Sequence, residues 1–264
     1  MPVAAVLELI YFSSQNRTYE ECIQHIFDRE KNEELSSDTV AVWYDRFSQV
    51  VAKEMNEIYA TEGSIGGAGA TVQIDESKFG RRKYNRGYLV DGHRVFGIIK
   101  EETKALRLVL APDSGRTRQN MQTLIEQNIT PGTEIISDSF SSYKYLDTED
   151  TCYTHKSVNH RVEFVAIDED GRKIHTNTIE ATWRPIKDFF RCKRIKRENF
   201  YFHLEEYEWR RRIKMDKKNA FYELSAAIAK HYQPQLLHAN YSTRSRPIDL
   251  DEFLGPVDLQ MLSQ

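Results

Sequence analysis

Cysteine is scarce in this chain. The sequence contains three cysteines, Cys22, Cys152 and Cys192, and no Cys-x-x-Cys pair. An odd number of scattered cysteines argues against a disulfide framework and against a structural zinc site. The histidines at positions 155, 160 and 175 do not change this expectation, because no two histidines in the chain have the i, i+4 spacing of a helical zinc site.

Long hydrophobic runs are also absent. A membrane helix needs roughly 18 to 20 apolar residues in succession, and the apolar runs of this chain are far shorter. The opening residues, Met-Pro-Val-Ala-Ala-Val, lack the basic leader of a secretory signal. With 40% hydrophobic and 29% charged residues, the composition is that of an ordinary globular protein. We therefore expect an intracellular protein that does not associate with a membrane.

Several catalytic motifs are missing as well. The chain has no glycine-rich phosphate loop, no Gly-x-Ser-x-Gly elbow and no His-Glu-x-x-His pair. These absences argue against nucleoside triphosphatases and against the hydrolases that use such motifs.

What the sequence does have is an uneven distribution of charge. The net charge is −3, yet residues 20–57 hold ten acids against four bases, whereas residues 187–197 hold six bases against Asp188 alone. Residues 210–218 carry another six bases against one acid. The overall balance argues against indiscriminate coating of nucleic acid, but the late basic segments are suited to bind a polyanion.

Residues 1–62 are predicted to form a small helical module. Helices are expected over residues 4–12, 18–27 and 38–55, and Thr18 with Glu21 three positions later is a capping-box pattern. Three helices with short connections are typical of a helix-turn-helix, whose third helix enters a DNA groove. A helical bundle that only packs or dimerises fits equally, and the acidic charge of this segment leaves both interpretations open.

Glycine then marks a predicted domain boundary. Four glycines in residues 63–69 predict a flexible linker over 63–70. A catalytic domain is predicted over residues 71–215, followed by a C-terminal helix and an irregular tail over 216–264. Within the catalytic domain, the hydrophobic pattern predicts strands over residues 71–75, 94–100, 105–111, 133–137 and 153–156, and helices over 118–128, 141–146, 177–190 and 201–212. This α/β order predicts a ribonuclease-H-like core, a mixed sheet with flanking helices, in which the first and fourth strands are neighbours.

Three acids are placed where such a fold could bring them together. Asp75 and Asp138 each follow the apolar part of a predicted strand, and Glu180 lies early in the helix predicted over 177–190. Oxygen ligands from three elements suit two hard cations such as Mg²⁺, which would activate a water or hydroxyl and steady the leaving oxygen in phosphodiester chemistry. Glu76, next to Asp75, must point to the other face of its strand. We interpret Glu76 as a structural or solvent-facing acid.

Basic residues with aromatic neighbours form the predicted nucleic-acid contacts. Lysine and arginine neutralise phosphates, while aromatic side chains such as Phe189 and Phe190 can stack on unpaired bases. A solvated surface is the alternative interpretation of such runs. The predicted DNA-binding residues are Lys78, Arg81, Arg82, Lys83, Lys187, Arg191, Lys193 and Arg194.

The motifs around the three acids are similar to those of a known family. They comprise residues 74–87, Ile-Asp-Glu-Ser-Lys-Phe-Gly-Arg-Arg-Lys-Tyr-Asn-Arg-Gly, then residues 95–97, 131–132, 136–138 and 157–160, and residues 175–183, His-Thr-Asn-Thr-Ile-Glu-Ala-Thr-Trp, followed by Lys187. Together they resemble the DDE transposase domain of Merlin-type DNA transposons and their bacterial insertion-sequence relatives, over roughly residues 71–212.

The resemblance implies an activity and a set of site residues. Asp75, Asp138 and Glu180 would be the family's catalytic triad, binding two Mg²⁺ or Mn²⁺ ions, and Lys187 matches the basic residue two helical turns after the third acid. Some relatives use asparagine as the third residue, which makes Asn177 an alternative third ligand. Such enzymes cut DNA at transposon ends and join the freed 3′ hydroxyl to target DNA, and we expect a homo-oligomer. A DNA substrate implies the nucleus of a eukaryotic cell, or the cytoplasm or nucleoid of a bacterium.

The resemblance also leaves alternatives. Relatives often carry a zinc-binding module ahead of the helix-turn-helix, and its absence here indicates a truncated or host-retained copy. A domesticated DNA-binding protein that no longer transposes is therefore one alternative. A structure-selective nuclease with a ribonuclease-H-like fold is the other.

Overall fold

The computed structural model describes residues 1–28, 33–80, 92–112, 115–148, 150–159, 165–167, 169, 171–191, 193 and 195–231. The helices are α1 (Val3–Ser14), α2 (Tyr19–His25), α3 (Ser37–Glu62), α4 (Arg118–Asn128), α5 (Asn177–Arg191), α6 (Phe200–Met215) and α7 (Ala220–His231), with 3₁₀ turns at Ser141–Asp147 and Arg197–Asn199. The strands are β1 (Phe27–Asp28), β2 (Glu33–Glu34), β3 (Ile65–Gly66), β4 (Thr71–Lys78), β5 (Arg94–Lys100), β6 (Leu106–Ala111), β7 (Ile129–Thr130), β8 (Glu134–Asp138), β9 (Thr154–Val158), β10 (Ala166–Ile167) and β11 (Lys173–Ile174). Among the described helices, none has both the length and the apolar character needed to cross a bilayer.

Contacts divide the chain into two compact units. One unit comprises Met1–Glu57 together with the chain from Trp209 onward, and the other comprises Ile58–Glu208. The boundaries therefore fall inside α3 and α6. The division into domains given by the sequence stays a prediction.

The first unit has a helical framework. α2 begins at the capping box that the sequence predicts: the Thr18 hydroxyl accepts from the backbone N–H of Glu21, and the Glu21 carboxylate accepts from the backbone N–H of Thr18. Tyr44 of α3 places its hydroxyl 2.9 Å from the sulfur of the buried Cys22. A role for these helices as a DNA-binding helix-turn-helix stays a prediction.

The glycine-rich stretch 63–70, whose role as a linker stays a prediction, makes contacts within the second unit. β3 pairs in parallel with β7, and the backbone N–H of Gly67 donates to the Thr133 hydroxyl at 2.8 Å. Gly66 has φ +109°, and a Cβ at this position would lie 2.3 Å from Thr133 Oγ1. Gly66 therefore permits a close approach to Thr133, which composition alone cannot distinguish from flexibility.

The second unit is built on a five-stranded mixed sheet. The strand order is β6-β5-β4-β8-β9, in which β4, β5 and β6 are antiparallel, whereas β4, β8 and β9 are parallel. The first and fourth strands of this sheet, β4 and β8, are neighbours, with Gln73 paired to Ile136. The predicted α/β, ribonuclease-H-like arrangement is confirmed by this order.

Both faces of the sheet are covered by apolar side chains. One core packs α4 and the 3₁₀ turn Ser141–Asp147 against the sheet, and includes Val72, Ile74, Phe96, Met121, Ile125, Ile135 and Tyr143. The other packs α5 and α6 against the opposite face, and includes Val95, Ile99, Leu108, Ile179, Trp183, Ile186 and Leu204. Each such buried side chain stabilises the fold by about 1.5–3 kcal/mol. Because side chains alternate along a strand, Ile74 and Glu76 of β4 point toward the first core, while Gln73 and Asp75 point toward α5.

Candidate active site

Asp75 lies on the α5 side of β4. Its Oδ2 accepts a 2.8 Å hydrogen bond from Nε1 of Trp183 on α5. Gly97, the partner of Asp75 on β5, leaves room for that indole, since a Cβ at Gly97 would lie 2.7 Å from Cη2 of Trp183. A strand-borne acid, an indole donor and a glycine together fix the position of this carboxylate.

Asp138 is the last residue of β8, the strand beside β4. Since β4 and β8 are parallel, both strands carry their acids toward the same edge of the sheet, where open α/β sheets bind their ligands. Oδ1 of Asp138 accepts from the backbone N–H of Phe140 at 3.3 Å, and Oδ2 lies 3.9 Å from Nη2 of Arg116.

Glu180 lies in the first turn of α5. Its Oε1 accepts a 2.6 Å hydrogen bond from the hydroxyl of Thr176, the residue before the helix. A threonine at this position commonly caps its own helix by accepting from a backbone N–H. Here the hydroxyl donates to Glu180, and the cap comes from Gln73, whose Oε1 accepts from the backbone N–H groups of Thr178 at 3.0 Å and Ile179 at 3.1 Å.

Gln73 connects the strand of the first acid to the helix of the third. Its side chain is fully buried, two residues before Asp75 on the same face of β4. Its Nε2 donates to Oε1 of Glu101 at 2.6 Å, which holds the amide in the orientation that caps α5. Together with the Trp183–Asp75 hydrogen bond, this buried amide holds the start of α5 against β4.

The charges of the other two acids act on the Asp75 carboxyl. Burial is the largest cause that raises the pKa of Asp75, and the negative charges of Asp138 and Glu180 raise it further. The Trp183 indole and the backbone N–H of Glu76 oppose this shift by donating hydrogen bonds to the carboxylate. A cation bound here would relieve this repulsion.

The donor set fits a hard divalent cation. Three carboxylates provide the oxygen ligands that Mg²⁺ and Mn²⁺ prefer. Among the described residues, however, one set of three side chains has its potential metal-ligand atoms within 4.8 Å of one another, and that set is Glu54, Glu57 and His231. The three acids of the candidate site are not such a set. The Lys230 ammonium already lies 2.8 Å from Glu54 and 2.5 Å from Glu57, so that group already has a cationic side chain as a partner.

Three of the predicted DNA-binding residues are at the surface. Lys78 is exposed at the end of β4, and Lys187 is exposed on α5, two turns from Glu180, with its ammonium 5.8 Å from the centre of the Phe79 ring. Arg191, at the end of α5, forms a 3.0 Å ion pair with Asp188 and is 61% exposed. Their position near the helix of Glu180 is compatible with phosphate contacts, which stay a prediction.

Lys193, which the sequence predicts to contact DNA, has a largely buried side chain. Its side chain is only 8% exposed and forms an ion pair with Glu206 of α6, with Nζ 2.7 and 2.8 Å from the two carboxylate oxygens. The ammonium also lies 4.1 Å from the centre of the Phe189 ring. Lys193 is therefore an internal partner of α6, because a buried carboxylate on that helix needs a cation. The other predicted contacts, Arg81, Arg82, Lys83 and Arg194, lie outside the described residues.

The remaining candidates occupy separate places. Asn177, the alternative third ligand, is exposed at the first position of α5, and its role stays a prediction. His155 contacts Asp147 at 2.6 Å and Ser137 at 2.9 Å, and His175 lies 3.3 Å from the Gln73 amide. His160 lies outside the described residues.

Sequence reasoning missed the residues that hold the acids. Gln73 was detectable, because a polar residue two positions before Asp75 shares its face of the strand. Thr176 and Trp183 stood inside the motif around Glu180 without an assigned contact. Nothing local identifies Arg116, whose approach to Asp138 depends on how the connection before α4 folds over the sheet.

The comparisons with known proteins bear on the same region. The family described as the ISXO2-like transposase domain matches residues 60–212, more than half of the chain. The HTLV-2 integrase catalytic core domain in complex with magnesium, in its trimeric form, is 10% identical, with 54% of this chain and 84% of that chain covered at a TM-score of 0.31. The catalytic core domain of BIV integrase is also 10% identical, with 62% and 98% covered at a TM-score of 0.32. No curated protein matches the chain.

The family match spans all three acids, the five-stranded sheet and the helices α4 and α5. It does not distinguish a Merlin-type transposase from other relatives, and that finer assignment stays a prediction. The chain belongs to the family of ISXO2-like transposase domains and so to the DDE polynucleotidyl transferases.

Proposed function

We propose that this protein is a DNA transposase that cuts DNA at transposon ends and joins the freed 3′ hydroxyl to target DNA. The observation that carries the proposal is the family match over residues 60–212, which covers Asp75 on β4, Asp138 on β8 and Glu180 on α5. It is supported by the pKa of Asp75, which is raised first by burial and further by the negative charges of Asp138 and Glu180.

Each acid has a proposed part in the reaction. Two Mg²⁺ or Mn²⁺ ions held by the three carboxylates would supply the Lewis acidity and the activated water or hydroxyl that phosphodiester transfer requires. Asp75 and Asp138 would hold the ions from neighbouring strands, and Glu180 would complete the second site from α5. The hydrogen bonds from Trp183 and Thr176 keep two of these carboxylates oriented before any substrate arrives.

The basic surface beside α5 is the proposed DNA contact. Lys78 and Lys187 are exposed cations near Asp75 and Glu180 in sequence and on the same elements. They would neutralise backbone phosphates on either side of the reacting bond. Because two transposon ends must be handled in one event, we propose that at least two copies of the chain act together.

The test is cleavage and strand transfer on DNA that carries the sequences flanking the reading frame, with Mg²⁺ or Mn²⁺. Asp75→Asn, Asp138→Asn and Glu180→Gln are each expected to reduce activity at least a hundredfold, as losses of groups acting in the transition state do. Asp188→Asn is the matched control, since Asp188 lies on the same helix as Glu180 and pairs with Arg191 at the surface.

Each outcome separates the proposal from its alternatives. Full activity in the Asp75 and Asp138 variants would show that the mechanism is wrong. DNA binding that ignores metal, with no cleavage, would favour a domesticated DNA-binding protein. Cutting of branched DNA without joining would favour a structure-selective nuclease.

A further inference from the structure

The side chain of Glu76, the neighbour of Asp75 on β4, is fully buried. Its side chain points to the opposite face of the strand, where it accepts a hydrogen bond from the Tyr143 hydroxyl and forms an ion pair with Nη2 of Arg116. A buried carboxylate is tolerated when it is paired and hydrogen-bonded in this way. One strand thus places two adjacent acids in different surroundings, Asp75 in the candidate site and Glu76 in a buried pair.

Arg116 lies in the connection before α4 and is held by several contacts. Its guanidinium stacks on the Phe140 ring, 3.9 Å from the centre, and its backbone carbonyl accepts a 2.5 Å hydrogen bond from the Ser142 hydroxyl. The nitrogen that contacts Glu76, Nη2, also lies 3.9 Å from Oδ2 of Asp138. The guanidinium therefore stands between a buried carboxylate that it contacts and a candidate metal ligand at the limit of an ion pair.

We propose that Glu76 is a positioning residue that holds the Arg116 guanidinium away from Asp138 and so keeps that carboxylate available to a divalent cation. This inference rests on the proposed function. A guanidinium and a divalent cation compete for one carboxylate, because both bind the same oxygen lone pairs. Without the anion at Glu76, Nη2 needs to move only about 1 Å to reach hydrogen-bond distance from Asp138.

The charges predict different changes in cation affinity for two variants. Glu76→Gln removes the restraining anion, so cation affinity is expected to fall about tenfold, the effect of roughly one closely placed unit charge at a partly exposed site. The double variant Glu76→Gln with Arg116→Gln leaves no guanidinium to close on Asp138. Its affinity is expected to return to that of the unmodified chain or to exceed it.

The experiment measures Mn²⁺ binding to the full chain by isothermal titration calorimetry, without DNA, on proteins whose fold is checked by circular dichroism. Asp138→Ala identifies the heat that belongs to this site. Arg118→Gln is the matched control, because Arg118 is exposed, two positions along, and lies over the Tyr145 ring at 5.5 Å from its centre. It removes the same charge from the same segment without a contact to Glu76, and unchanged affinity is expected.

Weaker binding in Glu76→Gln with recovery in the double variant supports the inference. If the pair has a purely structural role, the double variant should bind Mn²⁺ no better than Glu76→Gln, and that result would overturn the inference. Unchanged affinity in Glu76→Gln would overturn the inference as well. If Glu76→Gln does not fold, the double variant still decides, because it leaves no buried charge unpaired. Weaker Mn²⁺ binding by the double variant than by the unmodified chain overturns the inference. Binding that Asp138→Ala leaves unchanged overturns the proposed metal site itself, and so both proposals.

Discussion

Replacing Gln73 with methionine should loosen the start of α5 and displace the third acid. Methionine has a similar length and no polar atoms that could cap the helix, so the backbone N–H groups of Thr178 and Ile179 would lose their acceptor. The partner carboxylate of Glu101 would also lose the amide that donates to it at 2.6 Å. The substitution therefore removes the hydrogen bonds from Gln73 to the start of α5 while it nearly keeps the volume of the side chain.

The magnitude follows from these contacts. An unmet buried donor costs about 1–3 kcal/mol, and loss of a helix N-cap costs about 0.5–2 kcal/mol. Because the two losses overlap at the same N–H groups, we expect Gln73→Met to lower the free energy of unfolding by about 2–4 kcal/mol.

Urea unfolding at neutral pH measures this loss. Gln122→Met is the matched control, since Gln122 is a partly exposed glutamine of α4 whose amide donates to Glu126 at 2.8 Å in an exposed hydrogen bond. The control is expected to change stability by no more than about 0.5 kcal/mol. A loss below about 1 kcal/mol in Gln73→Met would refute the capping role, because even one buried N–H without an acceptor costs that much.

The effect on Glu180 can be separated from stability. Thr176→Val keeps the shape of the side chain and removes the hydroxyl that donates to Glu180 at 2.6 Å. We expect activity to fall about tenfold or more, since a misoriented group loses much of its effect, while Thr176→Ser retains the donor and restores activity. Equal activity in the valine and serine variants would show that this hydrogen bond does not orient the acid.

Further predictions concern packing, pH and charge. Gly97→Ala should destabilise the fold by about 1–3 kcal/mol in urea unfolding, because the new Cβ overlaps the Trp183 ring; unchanged stability would refute the close approach. Because the pKa of Asp75 is raised above 3.8, the folded chain binds this proton more tightly than the unfolded chain, and stability is lost as pH rises from about 3.8 through the folded pKa. In the presence of a metal chelator, Asp75→Asn should therefore be more stable than the unmodified chain near neutral pH, and this difference in stability should vanish below about pH 3.8. A difference in stability that does not depend on pH would contradict this prediction. Lys193→Met should destabilise the fold by about 1–3 kcal/mol, because the buried Glu206 carboxylate loses its lysine and keeps the contact with His203. Lys187→Gln should instead lower the slope of log binding constant against log salt concentration for DNA by about one, with little change in stability. Lower stability in Lys187→Gln together with a lower salt slope in Lys193→Met would show that the roles assigned to these two lysines are wrong.

Local pattern predicted the elements of the sheet well. The expected strand over 94–100 and helix over 118–128 have the bounds of β5 and α4, because apolar periodicity and the caps at their ends are local signals. α3 extends to Glu62, beyond the predicted 38–55, since no breaker precedes Gly63, whose φ is +70°. β4 also extends past Asp75 to Lys78, because its pairing with β5 continues to Arg94.

Side-chain environment was harder to predict than element type. Lys193 stands in a basic run that reads as surface, yet Glu206, thirteen residues later, takes it into a buried ion pair. The glycines of 63–69 are typical of a linker, yet Gly66 and Gly67 contact Thr133. In both cases the deciding partner is distant in sequence, and no local pattern reports it.

The sequence by itself determined the mixed α/β core, the strands that end near Asp75 and Asp138, and the helix that carries Glu180, because these depend on periodicity, turn residues and motif. Only the tertiary structure decided how each acid is held. The Trp183 indole on Asp75, the Gln73 amide under α5 and the Arg116 guanidinium between Glu76 and Asp138 are contacts between residues 22 to 108 positions apart. Such contacts form only when strand pairing and helix packing bring distant segments together, so their geometry is a property of the fold and not of any one stretch of chain.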